Sequence, residues 1–161
     1  MAWVTPTNVS TGDVLTASMW NQDVVANATE LAQFFGAWTA WTPTLAQSSE
    51  VAKTVSGATY IQVGKLVIAN FFLTVTGTGS AGSSMAVGLP VEAKSTALNI
   101  GGGSIFDASA TTAYSGQWFN TTSTAAIFVG DWSGQNSWGI APSLALATND
   151  LIRGTVIYEA A

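Results

Sequence analysis

The chain has 161 residues, only 8% of them charged, and four cations against nine acids leave a net charge of −5. That balance argues against nucleic acid, where affinity comes from neutralising phosphates, and against an anionic membrane surface. The absence of cysteine and histidine removes any disulfide framework, the commonest metal ligand and general base, and every Ser-His-Asp or Cys-His device; no cofactor is expected.

The first residues, "MAWVTPTNVS", lack the basic region and apolar block of a signal peptide, so synthesis in a cytoplasm without the usual export is expected. Pro6 and the turn signal at Thr11–Asp13 make residues 1–15 an extended arm. Residues 16–36 are the one stretch that reads as a helix. Thr16 is suited to the N-cap and Gly36 to the left-handed stop. Between them Ala17, Trp20, Val24, Asn27, Leu31 and Phe34 alternate in steps of three and four, an a/d seam. An isolated helix of this length is marginal in water, and "DVVANAT" is weak in helix propensity. Burying Trp20, Val24, Leu31 and Phe34 would contribute about 1.5–3 kcal/mol each. Three partners are open: the chain's own β domain, a different protein, or the same helix from sister chains. Asn27 favours the last, because a polar seam residue typically fixes register and oligomer number. A 48% hydrophobic share and seven tryptophans agree, since apolar surface beyond what one compact monomer hides usually marks interfaces.

Residues 37–45, "AWTAWTPTL", read as a Pro-containing connector, and residues 46–161 as a β domain. Its clearest strands are 59–63, 65–75, 85–89, 97–106, 117–120, 125–129 and 152–159, separated by the turn clusters "TGTGSAGSS", "FDASATTAYSG", "DWSGQNS" and "ATND". In the last strand Ile152, Gly154, Val156 and Tyr158 share one face, and Arg153, Thr155, Ile157 and Glu159 the other. The longest apolar-rich run, "KLVIANFFLTV", falls well short of the roughly 20 residues a spanning helix needs, so no membrane insertion is expected. Short strands at this spacing with no second helix predict a mainly β fold: an antiparallel sandwich or jelly roll behind a single N-terminal helix.

Candidates for chemistry are few. Asp107, Asp131 and Asp150 fall in separate turns, where each has an ordinary turn role; a glycosidase-type carboxylate pair would need folding to join them. "GTGSAG" at 77–82 fits the dinucleotide-binding glycine pattern, but strand and turn follow it where a helix is required, so a hairpin loop is expected. Gly101–Gly103 inside a strand suggest a bulge or a close approach of backbones. Trp132 and Trp138, beside Asp131, Gln135 and Asn136, are candidates for stacking on a sugar and bonding its hydroxyls, or else for core packing. Tyr114, Gln117, Trp118 and Asn120 invite the same reading with less force.

"VSTGDVLTASMWNQDVVANATEL" resembles the N-terminal segment of many small bacteriophage structural proteins, in which such a stretch precedes a β domain. "YIQVGKLVIANFFLTVTGTGSAG…VGLP" with the ending "NDLIRGTVIYEAA" is similar to the jelly-roll heads of phage tail-fibre, head-fibre and decoration proteins. The resemblance implies a homotrimer on the virion surface, with helices bundled at an anchoring end and three heads outward; it implies no catalytic residues. On this reading residues 1–15 grip other virion proteins of capsid or tail, 16–36 trimerise, and the head is displayed, short of any long shaft. Capsid decoration or head fibre, and a minor tail protein whose head binds a host-surface glycan, both fit. A wall-polymer hydrolase and a monomeric sugar-binding module are the rivals from other classes.

Overall fold

The computed structural model describes Thr5, Asn8 and residues 10–32, 36–130 and 137–161, which fall into two compact units, Met1–Ala37 and Trp38–Ala161. In the first unit the Thr11–Asp13 turn signal forms as expected. Asp13 Oδ2 accepts from the Ser10 amide at 2.6 Å, and Gly12 takes a left-handed φ of 100°. Thr16 caps the helix, its hydroxyl accepting from the Met19 amide at 3.2 Å. The helix runs as α1 (Ala17–Trp20), a π turn (Asn21–Val25) and α2 (Ala26–Ala32). The π turn carries an extra residue per turn, so the seven-residue rhythm slips there and the expected seam is offset between Trp20 and Val25. Two side chains just beyond it bond backward: Asn27 Nδ2 donates to the Asp23 carbonyl at 3.0 Å and Thr29 Oγ1 to that of Val25 at 2.8 Å. Such back-bonding, next to two adjacent valines, is a known bender of helices. Gly36 is an exposed bend, and Phe34 of the seam lies outside the described residues.

The second unit is mainly β and antiparallel throughout. Its strands are β1 (Thr39–Ala40), β2 (Leu45–Gln47), β3 (Ser49–Glu50), β4 (Lys53–Val63), β5 (Leu66–Val75), β6 (Met85–Gly88), β7 (Leu98–Asp107), β8 (Thr112–Thr122), β9 (Ala125–Gly130) and β10 (Leu151–Glu159). They hydrogen-bond into one curled sheet in the order β1-β4-β5-β10-β7-β8-β9-β6-β2-β3. The expected connector at 37–45 belongs to this sheet: Thr39 and Ala40 pair with β4, Leu45 is fully buried, and Trp41 packs edge-on to Phe71 with centroids 6.3 Å apart. The predicted turn at 106–116 shrinks to four residues, because β7 runs to Asp107 and β8 starts at Thr112. The glycine loop after β5 is a crossing rather than a hairpin, since β6 pairs with β9 and β2.

Alternation in β10 places Ile152, Gly154, Val156 and Tyr158 inward and leaves Arg153, Thr155, Ile157 and Glu159 exposed. The inner face centres on Trp118, fully buried between Phe71 (centroids 5.0 Å apart) and Phe128 (5.1 Å). The Gly101–Gly103 run does two of the things foreseen for it. The β7–β8 register slips between Asn99 and Gly101, and a Cβ on Gly103 would collide with both the Arg153 carbonyl and the Trp118 indole nitrogen.

Buried Gln47, Tyr158, Asp107 and Asp150 tie the loops to this core through hydrogen bonds, whereas the buried indole nitrogens of Trp41, Trp118 and Trp138 have no hydrogen-bond partner among the described residues. Gln47 is fully buried; its amide nitrogen donates to the Leu144 (2.8 Å) and Ser83 (3.1 Å) carbonyls and its oxygen accepts from the Leu146 amide (2.8 Å). Tyr158 donates to the Val91 carbonyl at 2.7 Å and accepts from its amide at 3.2 Å; burial pushes its phenol up to about 12. Asp107 and Asp150 brace one turn: Asp107 Oδ1 accepts from the Ser109 hydroxyl (2.7 Å) and the Ser109 and Ala110 amides (3.0 Å each), while Asp150 takes the Ala108 (2.9 Å) and Ala147 (2.8 Å) amides.

The two carboxyls shift in opposite directions. The Ser109 hydroxyl bond, with the backbone amides, holds Asp107 below its ordinary value of 3.8, whereas burial raises Asp150 above it. Asp107 therefore contributes stability that is present above its unfolded value and lost as pH falls through the lower, folded one. Asp150 acts in the other sense: just above pH 3.8 its unfolded carboxyl ionises first, so stability falls as pH rises towards the folded value. Thermal melting from about pH 3 to 6, around the carboxylate range, should show Asp107→Asn losing less stability than wild type at the acid end. An unchanged acid limb would mean that Asp107 carries none of it.

Candidate functional site

Two surfaces stand out. On the helix, Trp20 is 50% exposed, Val24 42% and Leu31 54%, with Ala17 also exposed, while Asn27 is buried at 6%. Asn27, the polar residue of the expected seam, donates from its amide nitrogen to the Asp23 carbonyl of its own helix. Val14, Leu15 and Val25 add further exposed apolar surface to the same unit. Val24 and Val25 stand within the π turn, the part of the helix least supported by propensity.

The aromatic candidates divide. Trp138 is fully buried, bonded through its backbone to Phe128 and Met85, with its ring edge-on to Tyr114 at 6.1 Å. It is a core residue, so its ring face cannot stack on a sugar. Asp131, Trp132, Gln135 and Asn136 lie outside the described residues. Trp118 is core as well, and Asn120 is buried, accepting from the Leu98 amide at 2.8 Å and donating to the Ser95 carbonyl. Of that second group Gln117 alone is both exposed and at a hollow.

No family model matches this chain, nor does any curated protein or solved structure. Among the described residues no helix is long and apolar enough to cross a membrane, and no three metal-ligating side chains cluster. Asp107 and Asp150, brought together by folding, are spent on backbone amides.

The outer face of the sheet carries two hollows that sequence reading did not find. One, of about 420 Å³, lies over β4, β5, β10 and β7 and is lined by Gly57, Thr59, Asn70, Phe72, Gly102, Arg153 and Thr155, among others. The other, of about 520 Å³, lies over β7, β8 and β9 and is lined by Asn99, Gln117, Phe119, Thr121, Ile127 and Val129 with Gly130 and Ser137. Both fall in the size range of small-molecule sites, about 300–1,000 Å³. Among the described residues Arg153 is the one charged residue lining either; its guanidinium sits 4.6 Å above the Phe72 ring. The signal available in the sequence was the alternation of β10, which places Arg153 outward. The rest depends on which residues stand opposite it across three strands.

Proposed function

We propose that this chain is a non-enzymatic structural component of a bacteriophage virion, a homotrimeric knob or short fibre of the decoration or head-fibre kind. Residues 1–15 would hold other virion proteins, the helix would bundle with its copies, and the curled sheet would serve as the jelly-roll head displayed outward. The observation that carries the reading is the helix: a compact unit of its own that leaves Trp20, Val24 and Leu31 about half in solvent. Apolar residues left in solvent gain most by burial against one another, and closed symmetric rings are the common way identical chains achieve it. The likeness of both ends of the chain to phage structural proteins supplies the virion and the number three. Light scattering on the purified full chain tests it: a mass three times the 16.6 kDa of one chain is expected, and a monomer would overturn the assembly.

A second reading, a minor tail protein whose head meets a host-surface glycan, is favoured by the hollows on the outer sheet face. Immunogold labelling of particles separates the two by where the label falls, on the capsid or on the tail.

A further inference from the structure

The register of the sheet joins the two hollows. Thr59 stands opposite Asn70, Asn70 opposite Thr155, Thr155 opposite Gly102, and Gly102 opposite Gln117. This is one row of paired residues across β4, β5, β10, β7 and β8, in which Gly102 of the first hollow stands next to Gln117 of the second. Gly57 stands opposite Phe72 and Phe72 opposite Arg153 in the next row. At Gly57 and Gly102 the missing side chains leave open space: a Cβ on Gly102 would find nothing nearer than the Gly116 carbonyl at 3.7 Å, and one on Gly57 nothing within 4 Å. The neighbouring Gly101 and Gly103 face inward against backbone, so the trough at Gly102 is not a consequence of close packing.

The polar groups along this trough are biased towards donors. Thr59 Oγ1 donates to Asn70 Oδ1 at 3.1 Å, and Asn99 Nδ2 donates to Gln117 Oε1, so each of these amide oxygens already accepts one hydrogen bond while both amide NH2 groups are left to donate. The guanidinium of Arg153 adds its donors, and among the described residues no carboxylate lies within ion-pair distance of it. Among the described residues no acid lines either hollow. Phe72 and Phe119 supply apolar ring surface in the two halves. A face with ring surfaces, amide donors and a single unpaired guanidinium matches a hydroxyl-rich molecule that bears one carboxylate.

We infer that this trough binds a carboxylate-bearing sugar, with Arg153 holding the carboxylate and Asn70 and Gln117 donating to ring and hydroxyl oxygens. Charge-assisted bonds from a guanidinium to a carboxylate are the strong ones, and the apolar face of a pyranose suits Phe119, while Phe72 carries the Arg153 guanidinium on its ring. This inference does not depend on helix association, because the trough is built by one chain's sheet.

The test is calorimetric titration of the full chain with glucuronate-containing oligosaccharides and with length-matched neutral glucose oligomers. Wild type should bind the acidic series in preference, more weakly as salt rises. Arg153→Gln should weaken that binding about tenfold or more, the scale of a lost charged hydrogen bond. Gly102→Val should abolish it by filling the junction, with melting temperature and solution mass unchanged. Binding of neither series, equal binding of both, or undiminished binding by Gly102→Val would overturn the inference. So would a drop in solution mass for Arg153→Gln or Gly102→Val, which would make the face a subunit contact. Loss of binding with mass retained supports the sugar site; a monomeric wild type that still binds leaves it standing and removes only the trimer.

Discussion

Replacing Val24 and Leu31 together with aspartate is expected to reduce the particle in solution from three chains to one, with the melting of the sheet domain unchanged. In a lone chain these side chains are 42% and 54% exposed, so the substitution costs the folded monomer little. In a bundle the same positions would turn inward, and each carboxylate would have to leave water with no cation to meet it. The first unit has no lysine or arginine: Lys53, Lys65, Lys94 and Arg153 all belong to the second. An unpaired charge taken out of water costs several kcal/mol, against about 1.5–3 kcal/mol gained per buried apolar side chain. The penalty therefore exceeds what the seam can supply. Ser18→Asp with Gln22→Asp is the control, adding the same charge at two exposed polar positions of the helix, and should leave the mass unchanged. Equal masses for the wild type and Val24→Asp/Leu31→Asp would place the chain contacts elsewhere.

How much of this was legible in the sequence depends on the range over which each feature is encoded. The Thr16 cap and the inward set of β10 are local, carried by one hydroxyl three residues from its amide and by a period of two, and both are where the pattern put them. The π turn is local too, yet a seam counted in sevens is blind to it, because the extra residue shows only in the backbone, where the Ala26 amide reaches back to the Asn21 carbonyl. The turn after β7 looked long because Asp107, Ser109 and Thr112 are all good turn residues; only the compact bonding of Asp107 to Ser109 and Ala110 lets the strands run so close to it. Trp138 could not be assigned from its neighbours, since a loop tryptophan is core or platform according to what folds against it, here Tyr114. The trough is the least local feature of all. Thr59, Asn70, Gly102, Gln117 and Arg153 become neighbours only through the pairings of five strands, with β10 inserted between β5 and β7. The difference between a structural glycine and an open one, Gly101 or Gly103 against Gly102, is likewise invisible in the string "GGG" and follows from the face each presents.

That contrast gives the second large effect. Gly154→Ala is expected to lower the melting temperature by several degrees, while Gly102→Ala, one strand away, leaves it within measurement error. Gly154 lies on the inward face of β10, beneath the indole of Trp118. A methyl there would sit 2.5 Å from Cζ of Phe71 and closer still to Nε1 of Trp118. The indole cannot retreat: Gly103 approaches the same nitrogen from the neighbouring strand, and Phe71 and Phe128 hold the ring at 5.0 and 5.1 Å. Overpacking of this kind costs about 1–3 kcal/mol, occasionally more. In a domain of this size each kcal/mol moves the midpoint by about 2–4 °C. Gly102→Ala adds the same methyl in open space and removes the entropic cost of a glycine in a strand, so its effect should stay within about 0.5 kcal/mol. Near-ultraviolet circular dichroism checks the mechanism as well as the size, because a displaced Trp118 alters the aromatic signal in Gly154→Ala and not in Gly102→Ala. Identical melting curves for the two variants would mean that the indole does not rest on Gly154, and the central packing of the sheet would have to be redrawn.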